Sequence, residues 1–338
     1  MHIQQNVSLR PFNTFGIDAI AKQFTAVTTL PELQEVLELH HPEASPMLVL
    51  GGGSNLLFTQ DFHGLVVKNE LMGTELVNED ADYYYVKAAA GENWHRFVQF
   101  CIGNNYAGVE NLSLIPGNIG ASPMQNIGAY GVEIKDVFYQ LEAMHVKDRT
   151  VTTFNRNDCR FGYRDSVFKG KYKNQFVITS VTFRLFKTPR LNITYGPITQ
   201  ELEHMGVTDI SIRTISQAVI NIRTSKLPDP ARIGNAGSFF KNPLVTTEQF
   251  QLLKEQFPAI VAFPVDKQYV KLAAGWLIEQ CGWKGYRKGD AGCHEKQALV
   301  LVNYGNAHGM DIYSLSTEIM HSVESKFGVL LEREVNII

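Results

Sequence analysis

The sequence lacks a strong net charge and any apolar run long enough to span a membrane. Its 338 residues carry a net charge of -3, which gives no basic surface for nucleic acid and no polyanionic tail. A membrane span needs roughly 20 apolar residues, and a signal peptide needs a basic and then an apolar segment; neither pattern occurs. We therefore expect neither nucleic-acid binding nor membrane insertion.

Disulfide and metal-binding patterns are also missing. The four cysteines are scattered without a C-x-x-C pair, which is typical of reduced thiols in a cytoplasmic protein. None of the ten histidines forms a pair at metal-ligand spacing backed by a carboxylate, so we expect no metal site. The sequence does not determine the oligomeric state, and we expect a monomer.

An uncharged loop at residues 111–131 stands out in a chain in which 19% of residues are charged. Glycines permit positive φ and close approach of the backbone to a ligand, while prolines stiffen the turns. The backbone N–H groups of such a loop can surround an anionic group without side-chain cations. The alternative is a long irregular surface loop, but solvated loops are usually charged and long ordered loops tend to be functional. We predict a ligand-binding loop.

A second glycine cluster, at residues 51–53, directly follows the predicted strand Met47–Leu50. Glycines after a strand suggest phosphate binding. The dinucleotide fingerprint G-x-G-x-x-G fails because Leu56 occupies the third glycine position, and the phosphate loop G-x-x-x-x-G-K-[ST] is absent. A tight turn at the end of the strand explains this motif equally well, so it indicates neither a Rossmann fold nor a P-loop.

Periodicity predicts a strand-rich first half and an α+β second half, with a boundary near residues 215–230. Predicted helices cover residues 31–39, 214–226, 247–256, 271–281 and 310–327, with another that begins after the N-cap Asn93. Further strands are predicted at residues 64–68, 83–89, 137–146, 176–186, 298–303 and 329–337.

Three polar features have both functional and ordinary explanations, and for Ser238 the sequence alone favours the ordinary one, a serine whose hydroxyl is hydrogen-bonded within its own loop. Arg164, beside an aromatic residue and a glycine, suits an anion, although an exposed turn explains it as well. Ser238 lacks the G-x-S-x-G elbow of a hydrolase, and its weak acidity suits it to protonate only a strong base. Glu332 and Glu334 lie on one face of the predicted last strand, where carboxylates often serve only solubility.

Taken in order, the motifs resemble one family over essentially the whole chain. They are residues 13–16 (N-T-F-G), 50–57 (L-G-G-G-S-N-L-L), 115–131, 161–166 (F-G-Y-R-D-S), 234–243 and 331–335 (L-E-R-E-V). The set is similar to the UDP-N-acetylenolpyruvoylglucosamine reductases of bacterial peptidoglycan synthesis, of the longer type that contains the Tyr195 segment. One departure is Arg333, which stands where a proline often separates the two glutamates.

The resemblance implies an α+β fold with an FAD-binding region of the vanillyl-alcohol-oxidase/PCMH type in two subdomains and a C-terminal substrate domain. The implied boundaries are 1–70, 71–214, 215–325 and a returning strand at 326–338. FAD would be held by backbone groups of the two glycine-rich loops, and NADPH would be the hydride donor. The implied cofactor-binding residues are Gly51, Gly52, Gly53, Ser54, Asn55, Pro116, Gly117, Gly120, Ala121, Ser122, Gln125, Asn126, Gly128 and Ala129.

The resemblance also implies the chemistry. Flavin N5 would deliver hydride to C3 of the enolpyruvyl group, Ser238 would protonate C2, and Arg164 and Glu334 would stabilise the enolate. A bare carboxylate would repel that enolate, so Glu334 helps only if protonated or through hydrogen bonding. The implied residues for the UDP-sugar substrate are Tyr130, Tyr163, Tyr195, Lys226, Asn242, Lys271 and Gln297. Two alternatives are an FAD oxidase of small alcohols or lactones, which needs a base instead of Ser238, and a flavin-binding module without catalysis.

Overall fold

The computed structural model describes residues 2–40 and 45–338. The chain divides into two compact units, each assembled from pieces that are distant in sequence. The first contains Met1–Val7, Ala21–Gly52 and His63–Ser225, and the second contains Ser8–Ile20, Gly53–Phe62 and Lys226–Ile338. The four-part division expected from the sequence stays a prediction.

The described residues form both strands and helices. The strands are β1 (Gln4–Ser8), β2 (Ile20–Val27), β3 (Met47–Leu50), β4 (Leu56–Leu57), β5 (Phe62–Asn69), β6 (Thr74–Glu79), β7 (Tyr83–Ala89), β8 (Gly128–Ala129), β9 (Val132–Glu133), β10 (Phe138–His145), β11 (Val151–Asn155), β12 (Phe176–Phe186), β13 (Gly234–Ser238), β14 (Leu244–Thr246), β15 (Ala262–Pro264), β16 (Tyr269–Leu272), β17 (Arg287–Lys288), β18 (Ala291–Cys293), β19 (Val300–Asn303) and β20 (Asn336–Ile337). The α-helices are α1 (Leu30–Leu39), α2 (Trp94–Gly103), α3 (Arg156–Cys159), α4 (Gly196–His204), α5 (Ile212–Lys226), α6 (Thr247–Gln256), α7 (Ala274–Gln280) and α8 (Gly309–Phe327).

Two sheets organise the first unit. One has the strand order β1-β2-β5-β3, with β3 and β5 parallel, and the other is β11-β10-β12-β7-β6. Apolar side chains of α2 and of the second sheet, among them Trp94, Phe97 and Phe183, form a hydrophobic core. The helix α2 begins where the sequence indicates, because the Asn93 side chain accepts the N–H of Arg96. The N-terminal end of α2 lies directly beside the uncharged loop at residues 111–131.

The second unit is built on two smaller sheets, β13-β19-β18-β17 and β14-β16-β15. The helices α7 and α8 contribute fully buried Leu277, Ile278, Ile312 and Ile319 to its core, and β19 contributes Val300. The last strand β20 pairs parallel with β4, so the C-terminus lies beside residues 56–57. α8 ends at Gly328, whose φ of 62° is the left-handed conformation of a glycine C-cap.

Two sequence predictions are wrong in extent. The helix expected at residues 271–281 begins only at Ala274, because Tyr269–Leu272 pairs as β16 with β14 and β15. The strand expected at residues 329–337 is a strand only at Asn336–Ile337, and before it the chain makes a single bridge between Arg333 and Phe240. The strands Met47–Leu50, Tyr83–Ala89 and Phe176–Phe186 and the helix Thr247–Gln256 are confirmed.

Candidate functional site

A close approach of two glycines joins the two glycine-rich loops of the first unit. A Cβ atom on Gly52 would lie 2.9 Å from the Cα of Gly117 and 2.9 Å from Oδ1 of Asn118. Within residues 2–40 and 45–338, neither Gly52 nor Gly117 donates its N–H to another group of the protein. Two adjacent, unused N–H groups in a crevice that a side chain would fill fit the pyrophosphate of a dinucleotide.

Backbone hydrogen bonds fix the loop at residues 111–131 to the start of α2. Gly117 accepts the N–H of Trp94 at 3.0 Å, Ile119 donates to Glu92 at 2.8 Å and Gly120 donates to Ala90 at 2.9 Å. A Cβ on Gly120 would lie 2.7 Å from the Cβ of Ala90, so this position tolerates no side chain. The loop is thus rigidly built, as expected for a binding loop rather than a mobile surface segment.

Two polar side chains of this loop serve its own structure. Ser122 is 1% exposed and its hydroxyl donates to the carbonyl of Ile119 at 2.7 Å. Asn126 is fully buried and donates to the Gly162 carbonyl at 2.9 Å and to Glu133 at 3.0 Å. The Ser122 N–H also donates to the Ile119 carbonyl, at 3.0 Å. The cofactor roles of these two residues and of Gln125, which is half-buried beside them, stay predictions.

Arg164 lies against the same loop. Its Nη2 donates to the carbonyl of Gly128 at 2.6 Å, and a Cβ on Gly128 would lie 3.2 Å from its Nη1. Its guanidinium carbon is 5.3 Å from the ring centroid of Tyr163, within the range of a cation–π contact. The backbone of Arg164 has a φ of 53°, an uncommon conformation for a non-glycine residue that is found at functional sites. The structure thus brings the predicted anion-binding arginine to the predicted cofactor loop.

Two predicted substrate residues, Tyr130 and Tyr195, also meet in the first unit. Their ring centroids are 5.3 Å apart with the planes at 83°, and Tyr195 is 39% exposed immediately before α4. Burial raises the pKa of Tyr130, and the nearby Arg223 partly opposes that shift. The pair presents one exposed tyrosine packed against one half-buried tyrosine.

Sequence reasoning missed three residues that hold these loops. Arg223 donates through Nε to the Leu114 carbonyl at 3.2 Å, and burial lowers its pKa. His95 accepts the Leu114 N–H at 2.9 Å through Nδ1, and burial followed by the charge of Arg223 lowers its pKa. Lys68 donates to the Gly51 carbonyl at 2.5 Å, and burial lowers its pKa as well. Each looks like an ordinary polar residue in the sequence, because its partners are backbone groups distant along the chain.

In the second unit, Ser238 ends β13 at an exposed position. The preceding Gly237 has a φ of 69°, which a side chain would strain. Gly234, at the start of β13, is so close to the Phe15 carbonyl that a Cβ would lie 2.2 Å from that oxygen. Asn235 donates its N–H to the carbonyl of Thr14 at 3.0 Å, so the motifs at residues 13–16 and 234–238 form one packed structure.

Glu334 is bound to the segment that contains Ser238. Its N–H donates to the Phe239 carbonyl at 2.8 Å, and the Glu332 carbonyl accepts the N–H of Lys241 at 2.9 Å. The Asn55 side-chain amide donates to the Glu334 carbonyl at 3.3 Å. Gly53, two residues before Asn55, has a φ of 62° and would place a Cβ 2.0 Å from the Phe12 carbonyl. The predicted proton donor and the predicted glutamate are therefore on neighbouring pieces of backbone.

Three of the other predicted substrate residues of this unit lie near the start of α7. Asn242 accepts the N–H of Ala274 at 3.0 Å, Lys271 lies in β16, and a Cβ on Gly275 would lie 3.1 Å from Oε1 of Gln297. Lys226 is exposed at the end of α5. Their contacts with a substrate, like those of the other site residues, stay predictions.

No group of three or more His, Cys, Asp or Glu side chains suited to a metal occurs among the residues that the structure describes. Among the helices of this same part, none has the length and apolar character required to cross a bilayer.

Comparison with known protein families identifies two matching regions. Residues 229–338 match the C-terminal domain of UDP-N-acetylenolpyruvoylglucosamine reductase, and residues 21–154 match an FAD binding domain. A UDP-N-acetylenolpyruvoylglucosamine reductase from Flavobacterium johnsoniae is 49% identical over the full length of both chains. One from Pseudomonas syringae pv. tomato is 50% identical over 100% of this chain and 99% of the relative.

Solved structures confirm the expected fold class. The UDP-N-acetylenolpyruvylglucosamine reductase (MurB) from Thermus caldophilus has a TM-score of 0.69 at 23% identity, covering 100% of this chain and 99% of that one. A 4-ethylphenol oxidase from Gulosibacter chungangensis has a TM-score of 0.53 at 10% identity, covering 98% and 84%. At these identities the likeness concerns the fold alone, an α+β FAD-binding fold of the vanillyl-alcohol-oxidase/PCMH type with a distinct C-terminal domain.

Proposed function

The chain belongs to the UDP-N-acetylenolpyruvoylglucosamine reductase family, and on that premise we propose that it reduces UDP-N-acetylglucosamine enolpyruvate to UDP-N-acetylmuramate with NADPH. It is an FAD-dependent oxidoreductase that acts on UDP-N-acetylenolpyruvoylglucosamine in peptidoglycan synthesis. NADPH as the reductant and the roles of single residues are the proposed part. So is a cytoplasmic location, which the four free cysteines support.

The cofactor site is proposed at the two glycine-rich loops. The crevice between Gly52 and Gly117, with its two unused N–H groups, supports binding of the FAD pyrophosphate there. FAD held there would supply the hydride chemistry, passing hydride from NADPH to C3 of the enolpyruvyl group. The Lys68 side chain donates to the Gly51 carbonyl, and the Gly120 N–H donates to the Ala90 carbonyl. These two hydrogen bonds hold the backbone that forms the crevice.

The protein residues complete the reduction by stabilising the developing negative charge and by supplying a proton. Addition of hydride at C3 breaks the C2–C3 π bond and moves its electrons through C2 into the carboxylate, which gives an enolate. Arg164 offers a planar pair of donors to that carboxylate. Ser238 then donates its hydroxyl proton to C2, which is basic enough to accept it, and solvent reprotonates the serine.

The pairing of the Glu334 N–H with the Phe239 carbonyl is the structural observation that carries this proposal. It holds the backbone of Glu334 against the residue that follows Ser238, a serine that no hydrolase motif explains. In its protonated form Glu334 donates a hydrogen bond to the developing charge. Tyr195, supported by Tyr130, is proposed to cover the substrate diphosphate, and Lys226, Lys271, Asn242, Gln297 and Tyr163 are proposed to contact the remaining polar groups.

Product analysis tests the reaction directly. The purified protein, reconstituted with FAD, is incubated with NADPH and UDP-N-acetylglucosamine enolpyruvate, and the sugar nucleotide is analysed by mass spectrometry. The proposal predicts a product with two additional hydrogen atoms, formed in a one-to-one ratio with the NADPH consumed. Consumption of NADPH that leaves the sugar nucleotide unchanged would show that the flavin turns over without this substrate.

A further inference from the structure

Arg333 separates the two glutamates near the C-terminus and is attached to α8 through its side chain. Its Nε donates to Oγ of Ser316 at 2.8 Å, and its Nη2 donates to Oγ1 of Thr317 at 2.6 Å. Its guanidinium carbon lies 4.4 Å from the ring centroid of Tyr313. Tyr313, Ser316 and Thr317 share one face of the helix because they are three and four residues apart. One side chain therefore makes three contacts on a single helical face.

The hydroxyl groups that receive Arg333 are themselves oriented. Ser316 donates its own proton to the Tyr313 carbonyl at 2.6 Å, and Thr317 donates to the same carbonyl at 3.1 Å. With their protons used in this way, both oxygens present lone pairs to the guanidinium. Ser316 is fully buried, so its oxygen has no competing water. These two oriented acceptors form a specific binding site for the arginine side chain rather than a chance surface contact.

The backbone around Arg333 explains what this attachment holds. Arg333 and Phe240 form an antiparallel bridge, flanked by the bonds from Lys241 to Glu332 and from Glu334 to Phe239. Side chains alternate along such a segment, so Arg333 points to one side and its two glutamate neighbours to the other. The ion pair between Glu332 and Lys241, at 2.5 Å, is consistent with this alternation. The position of the Glu334 carboxyl group therefore depends on a backbone segment that the Arg333 side chain holds from the opposite side.

We propose that Arg333 is a positioning residue that anchors residues 332–334 to α8 and so fixes the Glu334 carboxyl group in the position from which it stabilises the enolate. The proposal rests on the function proposed above. Proline, expected here from the resemblance, restricts the backbone by fixing φ. In this chain an arginine leaves φ free, and the three side-chain contacts restrict the segment instead. The bridge leaves the Arg333 N–H pointing away from Phe240, so proline at this position breaks no bridge hydrogen bond.

A hydrogen-exchange measurement tests the anchoring independently of any reaction. In the FAD-bound protein, Arg333→Ala should speed exchange of the Glu334 amide by about tenfold or more, because local opening becomes easier. Ser316→Ala combined with Thr317→Val should do the same from the other side of the contact. Arg287→Ala is the matched control, since Arg287 also stacks on a tyrosine, 4.3 Å from the Tyr304 ring, but is remote in sequence from the C-terminal segment. Unchanged exchange in both test variants overturns the anchoring.

A double-mutant cycle on the flavin half-reactions tests the catalytic consequence. Arg333→Ala should slow flavin reoxidation by the enolpyruvyl sugar nucleotide about tenfold or more, since small misplacements of reacting groups are costly. Reduction by NADPH should change by less than about twofold. Because Arg333 acts through Glu334, the double variant Arg333→Ala/Glu334→Gln should be no slower than Glu334→Gln alone. Arg333→Pro should recover most of the reoxidation rate that Arg333→Ala loses.

The outcomes separate this inference from the proposed function. If the wild-type flavin is not reoxidised by the sugar nucleotide, the function is wrong, while the exchange data still decide whether Arg333 anchors the segment. A wild-type reoxidation rate in Arg333→Ala overturns the positioning role. Two other results would also overturn it, because each indicates a general structural effect. One is that the decrease in reoxidation rate caused by Arg333→Ala adds in full to the decrease caused by Glu334→Gln. The other is that Arg333→Ala slows flavin reduction and flavin reoxidation equally.

Discussion

The N–H of Glu334 donates to the carbonyl of Phe239 at 2.8 Å, one residue beyond Ser238. This bond places the final residues of the chain against the end of β13, where the Ser238 hydroxyl is exposed. The predicted proton donor Ser238 and the predicted enolate-stabilising Glu334 are 96 residues apart in sequence but lie on adjacent pieces of backbone, as hydrogen-bonded neighbouring strands require.

Ser238→Ala should separate the two half-reactions. A positioned general acid contributes about 10²–10⁴-fold, so flavin reoxidation by the enolpyruvyl substrate should slow by that factor. Flavin reduction by NADPH requires no proton from Ser238 and should stay close to the wild-type rate. Stopped-flow absorbance of the flavin measures both. An equal loss in the two half-reactions would remove the assignment of Ser238 as the proton donor.

Gly52→Ala should weaken FAD binding. The added methyl group would lie 2.9 Å from the Gly117 Cα, which belongs to the backbone and has no flexible side chain to move aside. Overpacking of this kind costs about 1–3 kcal/mol, which corresponds to a Kd for FAD that is about 5–150-fold weaker. Flavin fluorescence titration of the apoprotein gives the Kd.

Gly170→Ala is the matched control for that variant, because a Cβ at Gly170 would meet nothing within 4 Å and its φ is not in the left-handed region. It should bind FAD like the wild type, and the thermal stability of both apoproteins should be compared. Wild-type affinity in Gly52→Ala would contradict a cofactor crevice between Gly52 and Gly117.

His95 should make stability depend on pH. Burial and the nearby Arg223 hold the pKa of His95 below its ordinary value of 6.5, and its neutral Nδ1 accepts the Leu114 N–H. As the pH falls below about 6.5, the unfolded chain takes up a proton before the folded one does. The stabilisation is therefore complete above that pH and is lost as the pH falls towards the lower pKa of the folded state.

Asn in place of His95 keeps a hydrogen-bond acceptor near the Nδ1 position and does not titrate. Between pH 7.5 and pH 5.5, about the range in which histidine changes charge, the wild type should lose more stability to urea than His95→Asn does. Parallel losses in the two proteins over this range would show that the Leu114 hydrogen bond is not the titrating contact.

Tyr195→Phe should raise the KM for the sugar nucleotide and leave flavin reduction by NADPH unchanged. The variant keeps the edge contact with Tyr130 and removes only the hydroxyl proposed to meet the diphosphate. A hydrogen bond to a charged group contributes about 1.5–3 kcal/mol, so an increase in KM of about tenfold or more is expected. Tyr139→Phe is a suitable control, because Tyr139 is 44% exposed and pairs edge-on with Tyr85. An unchanged KM in Tyr195→Phe would place the diphosphate elsewhere.

The sequence predicted elements whose signals are local. Asn93 as an N-cap and the strands Tyr83–Ala89 and Phe176–Phe186 depend on residues within a few positions. Residues 271–281 were predicted as a single helix because their apolar spacing suits one. Tyr269–Leu272 is a strand instead, because it pairs with two other strands. Such pairing cannot be read from a short stretch of sequence.

The candidate site was predictable where its residues belong to motifs and not where they act through backbone contacts. Gly52, Arg164 and Ser238 stand in recognisable segments, and the structure puts Arg164 on the Gly128 carbonyl. Arg223 resembles a solvated charge on a helix, yet it is half-buried and donates to the Leu114 carbonyl. Its partner is a carbonyl 109 positions away along the chain, so no sequence pattern reveals the contact.

The most direct test of the account is the visible absorbance of the FAD-bound protein in one anaerobic cuvette. We predict that the flavin absorbance bleaches on addition of NADPH and returns on addition of UDP-N-acetylglucosamine enolpyruvate, in proportion to the amount added. A flavin that bleaches with NADPH but stays reduced after the sugar nucleotide is added would contradict the proposed reaction.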